Sequence, residues 1–253
     1  MPSPITVGDH PDWARTSFPT LDIEERLRLT YERAGGRVVF TSSLGIEDQA
    51  LTHVIARSGL AIEIVTLDTG RLFPETYAVW AETERRYGMR ILAYYPHTGS
   101  VETLVANDGI DGFYASLQAR KACCNVRKVE PLRRALNGAA VWITGLRAEQ
   151  SRERSGLAFA EFDTGHGILK VNPLLDWSRA AVEAFVHEHD VPINALHAQG
   201  FPSVGCAPCT RAVQPGEQER AGRWWWEQDG AQECGLHVGS DGRLVRTRPV
   251  APA

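Results

Sequence analysis

The sequence lacks a long hydrophobic run: no stretch approaches the roughly 18 consecutive apolar residues that a membrane span requires. The first residues, MPSPITVGDHPDWARTSF, contain neither a basic segment nor an apolar core, so they do not resemble a secretory signal peptide. We therefore expect a cytoplasmic protein that has no membrane partner.

An excess of positive charge is also absent. The 253 residues include 27 Lys and Arg against 31 Asp and Glu, which gives a net charge of −4. Proteins that wrap nucleic acid are normally strongly basic, so we expect no nucleic-acid partner, and any anion site must be local. The 43% hydrophobic and 23% charged residues are typical of a globular chain. This length suits one α/β domain or a domain with an appendage.

An even number of cysteines is the third feature that is missing. The chain has five cysteines, and an odd count without a secretion signal argues against a framework of structural disulfides. In a reducing compartment, clustered cysteines more often hold a metal or perform chemistry. The cysteines are therefore the first candidates for a functional site.

Strands that alternate with helices predict an α/β fold with a mostly parallel sheet. The predicted strands cover residues 37–41, 61–67, 90–95, 140–145 and 167–171. Thr20 is predicted to cap the first helix, Pro74 to lie in the first turn of another, and residues 120–136 to be helical. We expect three regions: a loose N-terminal arm at 1–20, a nucleotide-binding α/β domain at 21–229, and a mobile C-terminal tail at 230–253.

Two loops that follow predicted strands are candidate ligand contacts, because ligands bind at the carboxyl ends of parallel strands. Ser42-Ser43-Leu44-Gly45 offers backbone N–H groups and hydroxyls to an anion, and Leu67-Asp68-Thr69-Gly70 offers polar groups to a base. Both are equally compatible with ordinary turns. GxGxxG and GxxxxGK[ST] do not occur, which disfavours dinucleotide and Walker-type sites.

Four of the cysteines occur as two pairs, Cys123-Cys124 and Cys206-Ala-Pro-Cys209. Four thiolates suit a tetrahedral zinc ion or a [4Fe–4S] cluster. Structural zinc sites normally use C-x₂₋₄-C pairs, and neighbouring helical residues point about 100° apart, which favours the wider cluster. One ligand pair with a buried thiol, or a disulfide, remains the alternative.

The fifth cysteine lies in a glycine-rich segment, Glu233-Cys234-Gly235-Leu236-His237. A thiol in a mobile tail is typical of a nucleophile that must travel, although an incidental exposed thiol is the alternative reading. Cysteine attacks as the thiolate, so this role needs nearby positive charge. The candidate cations are Lys128, Arg147, Arg152, Arg154, Arg220 and Arg223. Singly each suits a solvated surface, but together they suit a phosphosulfate or polyphosphate. Trp224-Trp225-Trp226 is interpreted as packing.

The motifs SSLGIED, LDTG, CCNVRK, TGLRAEQS, GCAPCTR, R-x-x-R before WWWE, and ECGLH follow one another from about Arg37 to His237. In this order they resemble the iron–sulfur type of assimilatory adenylyl-sulfate (APS) reductase, within the wider phosphoadenylyl-sulfate (PAPS) reductase family. The resemblance implies a Rossmann-like adenine-nucleotide α-hydrolase fold with a C-terminal tail.

The same resemblance implies roles for individual residues. It implies that Cys123, Cys124, Cys206 and Cys209 hold a [4Fe–4S] cluster, that Cys234 is the nucleophile, that His237 lies near the substrate, and that Lys128 lies between cluster and sulfate. Arg147, Arg220 and Arg223 would hold the phosphosulfate, with Arg152 and Arg154 as competitors of Arg147. Ser42, Ser43 and Glu47 would form the nucleotide loop, and Asp68 and Gly70 would lie near the adenosine.

The implied activity is reduction of adenylyl sulfate to sulfite and AMP through an S-sulfocysteine, with thioredoxin or a similar dithiol protein as reductant, in sulfate assimilation. The alternatives are PAPS as the substrate and an ATP-pyrophosphatase-type adenylylating enzyme, whose SGGxD loop is absent here. A zinc-stabilised binding module is the non-enzymatic alternative. The sequence leaves the oligomeric state open, a homo-oligomer included.

Overall fold

The computed structural model describes residues 11–151 and 154–227, and within them six strands form one sheet in the order β3-β2-β1-β4-β6-β5. The strands are β1 Arg37–Ser42, β2 Ile62–Leu67, β3 Leu92–Tyr94, β4 Ala139–Ile143, β5 Ala160–Asp163 and β6 Ile168–Val171. Neighbouring strands are parallel except β5 and β6, which pair antiparallel. The predicted α/β class with a mostly parallel sheet is therefore confirmed.

Helices connect the strands. Their bounds are α1 Asp12–Ser17, α2 Ile23–Arg33, α3 Ile46–Ser58, α4 Pro74–Tyr87, α5 Thr98–Asp108, α6 Leu117–Cys124, α7 Glu130–Leu136 and α8 Arg179–Glu188. A π-helical turn, Asn125–Val129, joins α6 to α7 without a break. The helix predicted over 120–136 is thus present, with one wide turn inside it.

Each central strand contributes to two separate cores, because successive side chains point to opposite faces of a sheet. Val38 and Phe40 pack in the larger core with residues of α2 and α3, whereas Val39 packs on the other face with Leu132 and Leu136 of α7. Both faces of the sheet are therefore covered, as parallel sheets require.

The chain reverses its direction of travel across the sheet next to β1. It moves from β1 to β2 and β3 on one side, and then enters β4 on the other side of β1. Such a reversal opens a crevice at the carboxyl ends of the strands, which is where open α/β sheets bind ligands. A cavity of about 170 Å³ lies there.

Three local features differ from the sequence expectation. Asp22 caps α2 in place of Thr20, through a capping box with Glu25. Residues 11–20, expected to be loose, contain α1 and a 3₁₀ turn in which Ala14 and Phe18 are fully buried. The elements α5 and β5 were not predicted. α5 has no buried residue, so its sequence carries no strong apolar face.

No helix within residues 11–151 and 154–227 has the length and apolar character needed to cross a membrane. From about residue 200 to residue 227, where the described part of the chain ends, the strand–helix alternation is absent, and short 3₁₀ turns such as Ala207–Cys209 take its place.

Candidate active site

The cavity lies between the carboxyl ends of β1, β2 and β4. Its walls include Ser42 and Ser43 after β1, Thr66 near the end of β2, and Thr144 and Gly145 after β4. These strand ends meet because the three strands are adjacent and parallel. The loop predicted to hold a nucleotide therefore does line a cavity.

Most polar groups of the β1–α3 loop are already bonded within the loop. Both the backbone N–H and the hydroxyl of Ser43 donate to the same carboxylate oxygen of Asp48, each at 2.6 Å. The N–H of Leu44 donates to the Ser42 hydroxyl at 3.1 Å. Leu44 has φ of 61°, the left-handed conformation that non-glycine residues rarely adopt, and this turns the loop sharply into α3.

Asp48 lies against the backbone of Gly145. A Cβ atom at position 145 would stand 2.2 Å from the Asp48 carboxylate oxygen, so only glycine allows this approach. Burial raises the pKa of the Asp48 carboxyl to about 6, although the Ser43 hydrogen bonds and Arg154 act to lower it. Asp48 was not among the residues singled out in the sequence.

Arg147 is fully buried and does not line the cavity. Its Nε donates to Glu47 at 2.9 Å, and its Nη2 donates to Glu219 at 2.9 Å. A third carboxylate, Glu149, accepts from Nη1 at 3.3 Å. The structure therefore does not bring Arg147 to the position expected for a substrate contact. Arg147 lies behind the cavity wall and neutralises these carboxylates, of which Glu47 and Glu219 line the cavity.

Arg154 is the arginine of this segment that does reach the cavity. Its Nη1 donates to the side-chain oxygen of Gln150, which also accepts the backbone N–H of Arg147 at 3.1 Å. Gln150 therefore orients Arg154 while it lines the cavity itself. Arg152, the other arginine considered for this contact with the phosphosulfate, lies outside the described residues.

Lys128, Arg220 and Arg223 also line the cavity and form its cationic wall, and their roles toward a sulfate stay predictions. Lys128 belongs to the π-helical turn, a feature that is frequent at functional sites. Arg223 donates to the Ser203 hydroxyl at 3.3 Å and the Val204 carbonyl at 3.4 Å, both neutral partners. Its buried Nε finds no hydrogen-bond acceptor among residues 11–151 and 154–227.

Gly205 is required where Arg223 crosses the backbone. A Cβ atom at position 205 would come within 2.2 Å of the Arg223 guanidinium. The glycine before Cys206 therefore lets the arginine lie flat against the segment that carries the second cysteine pair. The guanidinium also lies 4.7 Å from the ring of Trp224, which is 1% exposed, so this tryptophan packs as predicted.

The loop after β2 serves the cysteine segment rather than the cavity. Asp68 accepts the Gly70 N–H at 2.8 Å and the Tyr77 hydroxyl at 2.9 Å, and neither Asp68 nor Gly70 lines the cavity. The buried Thr69 hydroxyl lies 3.3 Å from the sulfur of Cys206. Proximity of Asp68 and Gly70 to an adenosine thus gains no support from the geometry.

The four paired cysteines gather at one place. Cys206 and Cys209 are buried in a cluster with Phe113 and Trp224, and Cys123 packs against it. Cys124 lies close enough to Cys209 to raise its pKa. All four are free thiols. The two pairs come from sequence segments about 80 residues apart and meet because α6 and the 207–209 turn pack together.

Electrostatics differ strongly between these thiols. Burial, with Cys206 and Cys124 beside it, raises the pKa of Cys209 to about 12. Burial acts in the same direction on Cys206, but Lys128, Thr69 and Arg223 outweigh it and lower the pKa of that thiol. A group of thiols this close together suits a positively charged inorganic centre, which stabilises thiolates.

Within the described residues no three His, Cys, Asp or Glu side chains converge as ligands of a single ion. A structural zinc ion needs four ligands at about 2.0–2.3 Å from one point, whereas an iron–sulfur cluster takes sulfurs that stand farther apart. Four cysteines and no histidine fit a cluster, and structural zinc uses the same donor set. The adjacent pair Cys123-Cys124 departs from the C-x₂₋₄-C spacing of zinc sites and favours the cluster.

Cys234 and His237, the predicted nucleophile and its neighbour, lie outside the described residues. Other residues escaped the sequence reading. Arg120 binds Glu227 at 2.7 Å beneath Trp224, and His197 lines the cavity while one ring nitrogen pairs with the Phe201 carbonyl at 2.8 Å. No local motif marks either residue, because both depend on long-range contacts.

Together, fold and cavity define an α/β protein with a cavity at the carboxyl edge of a mostly parallel sheet, beside four clustered cysteines. The family model of the phosphoadenosine phosphosulfate reductase domain matches residues 37–212. The chain belongs to this family.

Similar proteins agree with that assignment. A relative from Sinorhizobium fredii (strain USDA 257), named adenosine 5'-phosphosulfate reductase, is 54% identical over 221 residues, which cover 87% of each chain. A relative of the same name from Allochromatium vinosum is 56% identical over 200 residues, or 79% of this chain and 78% of its own. The crystal structure of a PAPS reductase from Candida auris in a phosphate complex is 25% identical, has a TM-score of 0.69, and covers 84% of this chain and 100% of its own.

Proposed function

We propose that the protein reduces adenylyl sulfate to sulfite and AMP, in sulfate assimilation, with a dithiol protein such as thioredoxin as the electron donor. The observation that carries the proposal is that Lys128, Arg220 and Arg223 all line the cavity, and that Lys128 and Arg223 act electrostatically on the thiol of Cys206. The identity of about 54–56% to proteins named adenosine 5'-phosphosulfate reductase favours APS over PAPS as the substrate.

The cationic wall suits the phosphosulfate end of the substrate. Arginine binds such groups through two parallel N–H donors, and Arg223 has neutral partners that leave its charge uncompensated by a carboxylate. Arg154 takes the position that the sequence reading assigned to Arg147, because Arg154 lines the cavity and Arg147 does not. Ser42, Ser43 and Glu47 line the same cavity, and we assign them to the nucleoside part.

Cys123, Cys124, Cys206 and Cys209 would hold a [4Fe–4S] cluster. Such a cluster would tie α6 to the turn at 207–209 and would orient Lys128. With four thiolate ligands its own net charge is negative, so the positive charge near the sulfate would come from Lys128 and the arginines. Lys128 interacts electrostatically with Cys206 and Cys209 and lines the cavity, so it links the cluster ligands to the substrate.

In the first step the Cys234 thiolate attacks the sulfur atom of adenylyl sulfate. A bond forms between the two sulfur atoms, the bond from sulfur to the bridging oxygen breaks, and AMP leaves with the electron pair. Two unit charges at 4 Å repel by about 4 kcal/mol at an effective dielectric near 20, so the approach requires positive charge. Lys128, Arg220 and Arg223 supply it, and His237 would join them near the substrate.

In the second step a thiolate of the dithiol protein attacks the Cys234 sulfur of the S-sulfocysteine. The bond between the two sulfur atoms breaks, and sulfite leaves with the electron pair. The second thiol of the partner then resolves the mixed disulfide and releases the Cys234 thiolate. The sulfur has gained two electrons, and the partner has been oxidised to its disulfide.

The decisive experiment is the substitution Cys234→Ser. We expect the variant to keep the visible absorbance of the cluster and to bind AMP, but to form no protein-bound sulfite when it receives APS labelled with ³⁵S. The wild type without reductant should retain the label until a dithiol protein is added. Turnover of the variant near the wild-type rate would overturn the assignment of the nucleophile.

A second measurement separates the substrates and the metal. Sulfite release from APS and from PAPS, with reduced thioredoxin, is expected to favour APS. Anaerobically purified protein is expected to contain iron and sulfide in equal amounts rather than zinc. Zinc alone, without sulfite release, would support the binding module instead.

Lys128 has a matched control in the same helical segment. Lys128→Met is expected to lower kcat/KM for APS by about 10- to 100-fold, because a charged contact to the substrate is lost. Lys121→Met removes the same charge from an exposed position outside the cavity and is expected to leave kcat/KM unchanged. Equal losses in both variants would contradict a local role for Lys128.

A further inference from the structure

The β1–α3 loop has the composition of an anion cradle, but an internal carboxylate occupies it. Asp48 receives both donors of Ser43 at 2.6 Å, and the Leu44 N–H is satisfied by Ser42. The carboxylate is 8% exposed and packs on Gly145, so it is part of the built structure of the wall. A phosphate at this loop would have to displace it.

The charges around Asp48 do not cancel its effect on a ligand in the cavity. Arg154 acts on Asp48 in the direction that lowers its pKa. Glu47 lies beside Asp48 on α3, and Glu219 also lines the cavity, but Arg147 binds both of these carboxylates. Three carboxylates thus face two guanidinium groups, so a net negative charge remains around Asp48, while Lys128, Arg220 and Arg223 line the cavity as well.

We propose that Asp48 is a specificity-determining residue that fills the anion position of the β1–α3 loop and excludes nucleotides with a triphosphate chain. The charge of a nucleotide with one phosphate, or with one phosphate and one sulfate, is matched by Lys128, Arg220 and Arg223, which line the same cavity, and does not need the loop that Asp48 fills. A longer phosphate chain extends along the loop and meets the carboxylate. The inference deepens the proposed function, because it names the group that rejects ATP in favour of adenylyl sulfate.

The test compares the dissociation constants of AMP and ATP, measured by calorimetry without divalent cations. For the wild type we expect ATP to bind at least about tenfold more weakly than AMP. Asp48→Asn removes the charge, and Asp48→Ala also frees the two Ser43 donors. Both variants should lower the ratio of the ATP to the AMP dissociation constant, and Asp48→Ala should lower it further. The matched control is Asp163→Asn, which removes another carboxylate that is 2% exposed but does not line the cavity. It should leave the ratio unchanged.

An unchanged ratio of ATP to AMP affinity in both Asp48 variants, with AMP binding retained, would overturn the inference. So would wild-type protein that binds ATP as tightly as AMP. If Asp48→Ala fails to fold, Asp48→Asn decides the question alone, because it keeps an acceptor for Ser43. Sulfite release is measured separately, so a protein that discriminates against ATP but makes no sulfite would refute the proposed function and leave this inference standing.

Discussion

Arg147 and Arg223 are two buried arginines near the same cavity, and they differ in their partners. Arg147 is fully buried, and three carboxylates accept from its guanidinium. Arg223 is 6% exposed and lines the cavity. Within the described chain its guanidinium donates to one hydroxyl and one carbonyl and to no carboxylate.

The difference separates a structural charge from a binding charge. A guanidinium surrounded by carboxylates has no positive potential left for a ligand, and its loss would strand buried negative charges. A guanidinium with neutral partners keeps its charge and attracts an anion into the cavity. The partners of an arginine, rather than its burial, indicate which role it has.

The largest effect that this comparison predicts is on stability. Arg147→Met should lower the free energy of unfolding by about 3–5 kcal/mol, because the buried Glu47 and the half-buried Glu219 would be left without their counter-charge. Urea denaturation followed by tryptophan fluorescence measures it. The control Arg85→Met breaks an exposed pair with Glu82 and should change the value by less than about 1 kcal/mol. Equal losses in free energy of unfolding for Arg147→Met and Arg85→Met would contradict the structural role of Arg147.

Arg223→Met should affect catalysis strongly and stability little, the reverse of Arg147→Met. We expect kcat/KM for adenylyl sulfate to fall by about 10- to 100-fold, while the free energy of unfolding changes by less than about 1 kcal/mol. The control Arg133→Met removes an exposed charge outside the cavity and should leave kcat/KM within about twofold. A stability loss as large as that of Arg147→Met would show that Arg223 also acts as a structural charge.

The third prediction concerns pH and the carboxylate wall. Burial raises the pKa of the Asp48 carboxyl to about 6, so between about pH 4 and 6 the folded state binds more protons than the unfolded state. Stability should therefore fall as pH rises through this window, by about 2 kcal/mol from this group. The amide that replaces this carboxyl in Asp48→Asn does not titrate. The free energy of unfolding of the variant minus that of the wild type should therefore rise from pH 4 to pH 6. A difference that stays constant would contradict the raised pKa.

The smallest effect is expected for Glu219→Gln. One carboxylate on Arg147 becomes an amide that still accepts a hydrogen bond, and Glu47 continues to neutralise the guanidinium. We expect the free energy of unfolding to fall by about 1 kcal/mol in the same urea experiment. A loss equal to that of Arg147→Met would mean that Glu47 alone does not compensate the arginine.

Much of the fold was accessible from local patterns. The buried strand segments around Val38, Ile64 and Val141 are short and rich in β-branched residues, and they were located to within a few positions. Strand β5 was missed because Ala-Glu-Phe-Asp carries two carboxylates, and Glu161 is buried only because it pairs with Lys170 on β6. That contact exists only after β5 and β6 have paired.

The candidate site divides in the same way. The meeting of the two cysteine pairs, and the position of Lys128, Arg220 and Arg223 beside them, follow motifs that can be read in order along the chain. The sequence could not show that Arg154 rather than Arg147 lines the cavity, because both arginines belong to one short segment of similar composition. Which guanidinium turns inward depends on Glu47 and Glu219, about 100 and 72 residues away.

Composition and short motifs were thus sufficient for the α/β class, the family, and the kinds of group that the chemistry uses, since these follow from residue type and spacing. Tertiary packing determined which charges reach the cavity and which are neutralised behind it. The reason is physical: the availability of a buried charge depends on every charge within a few ångströms, and those neighbours come from distant parts of the chain.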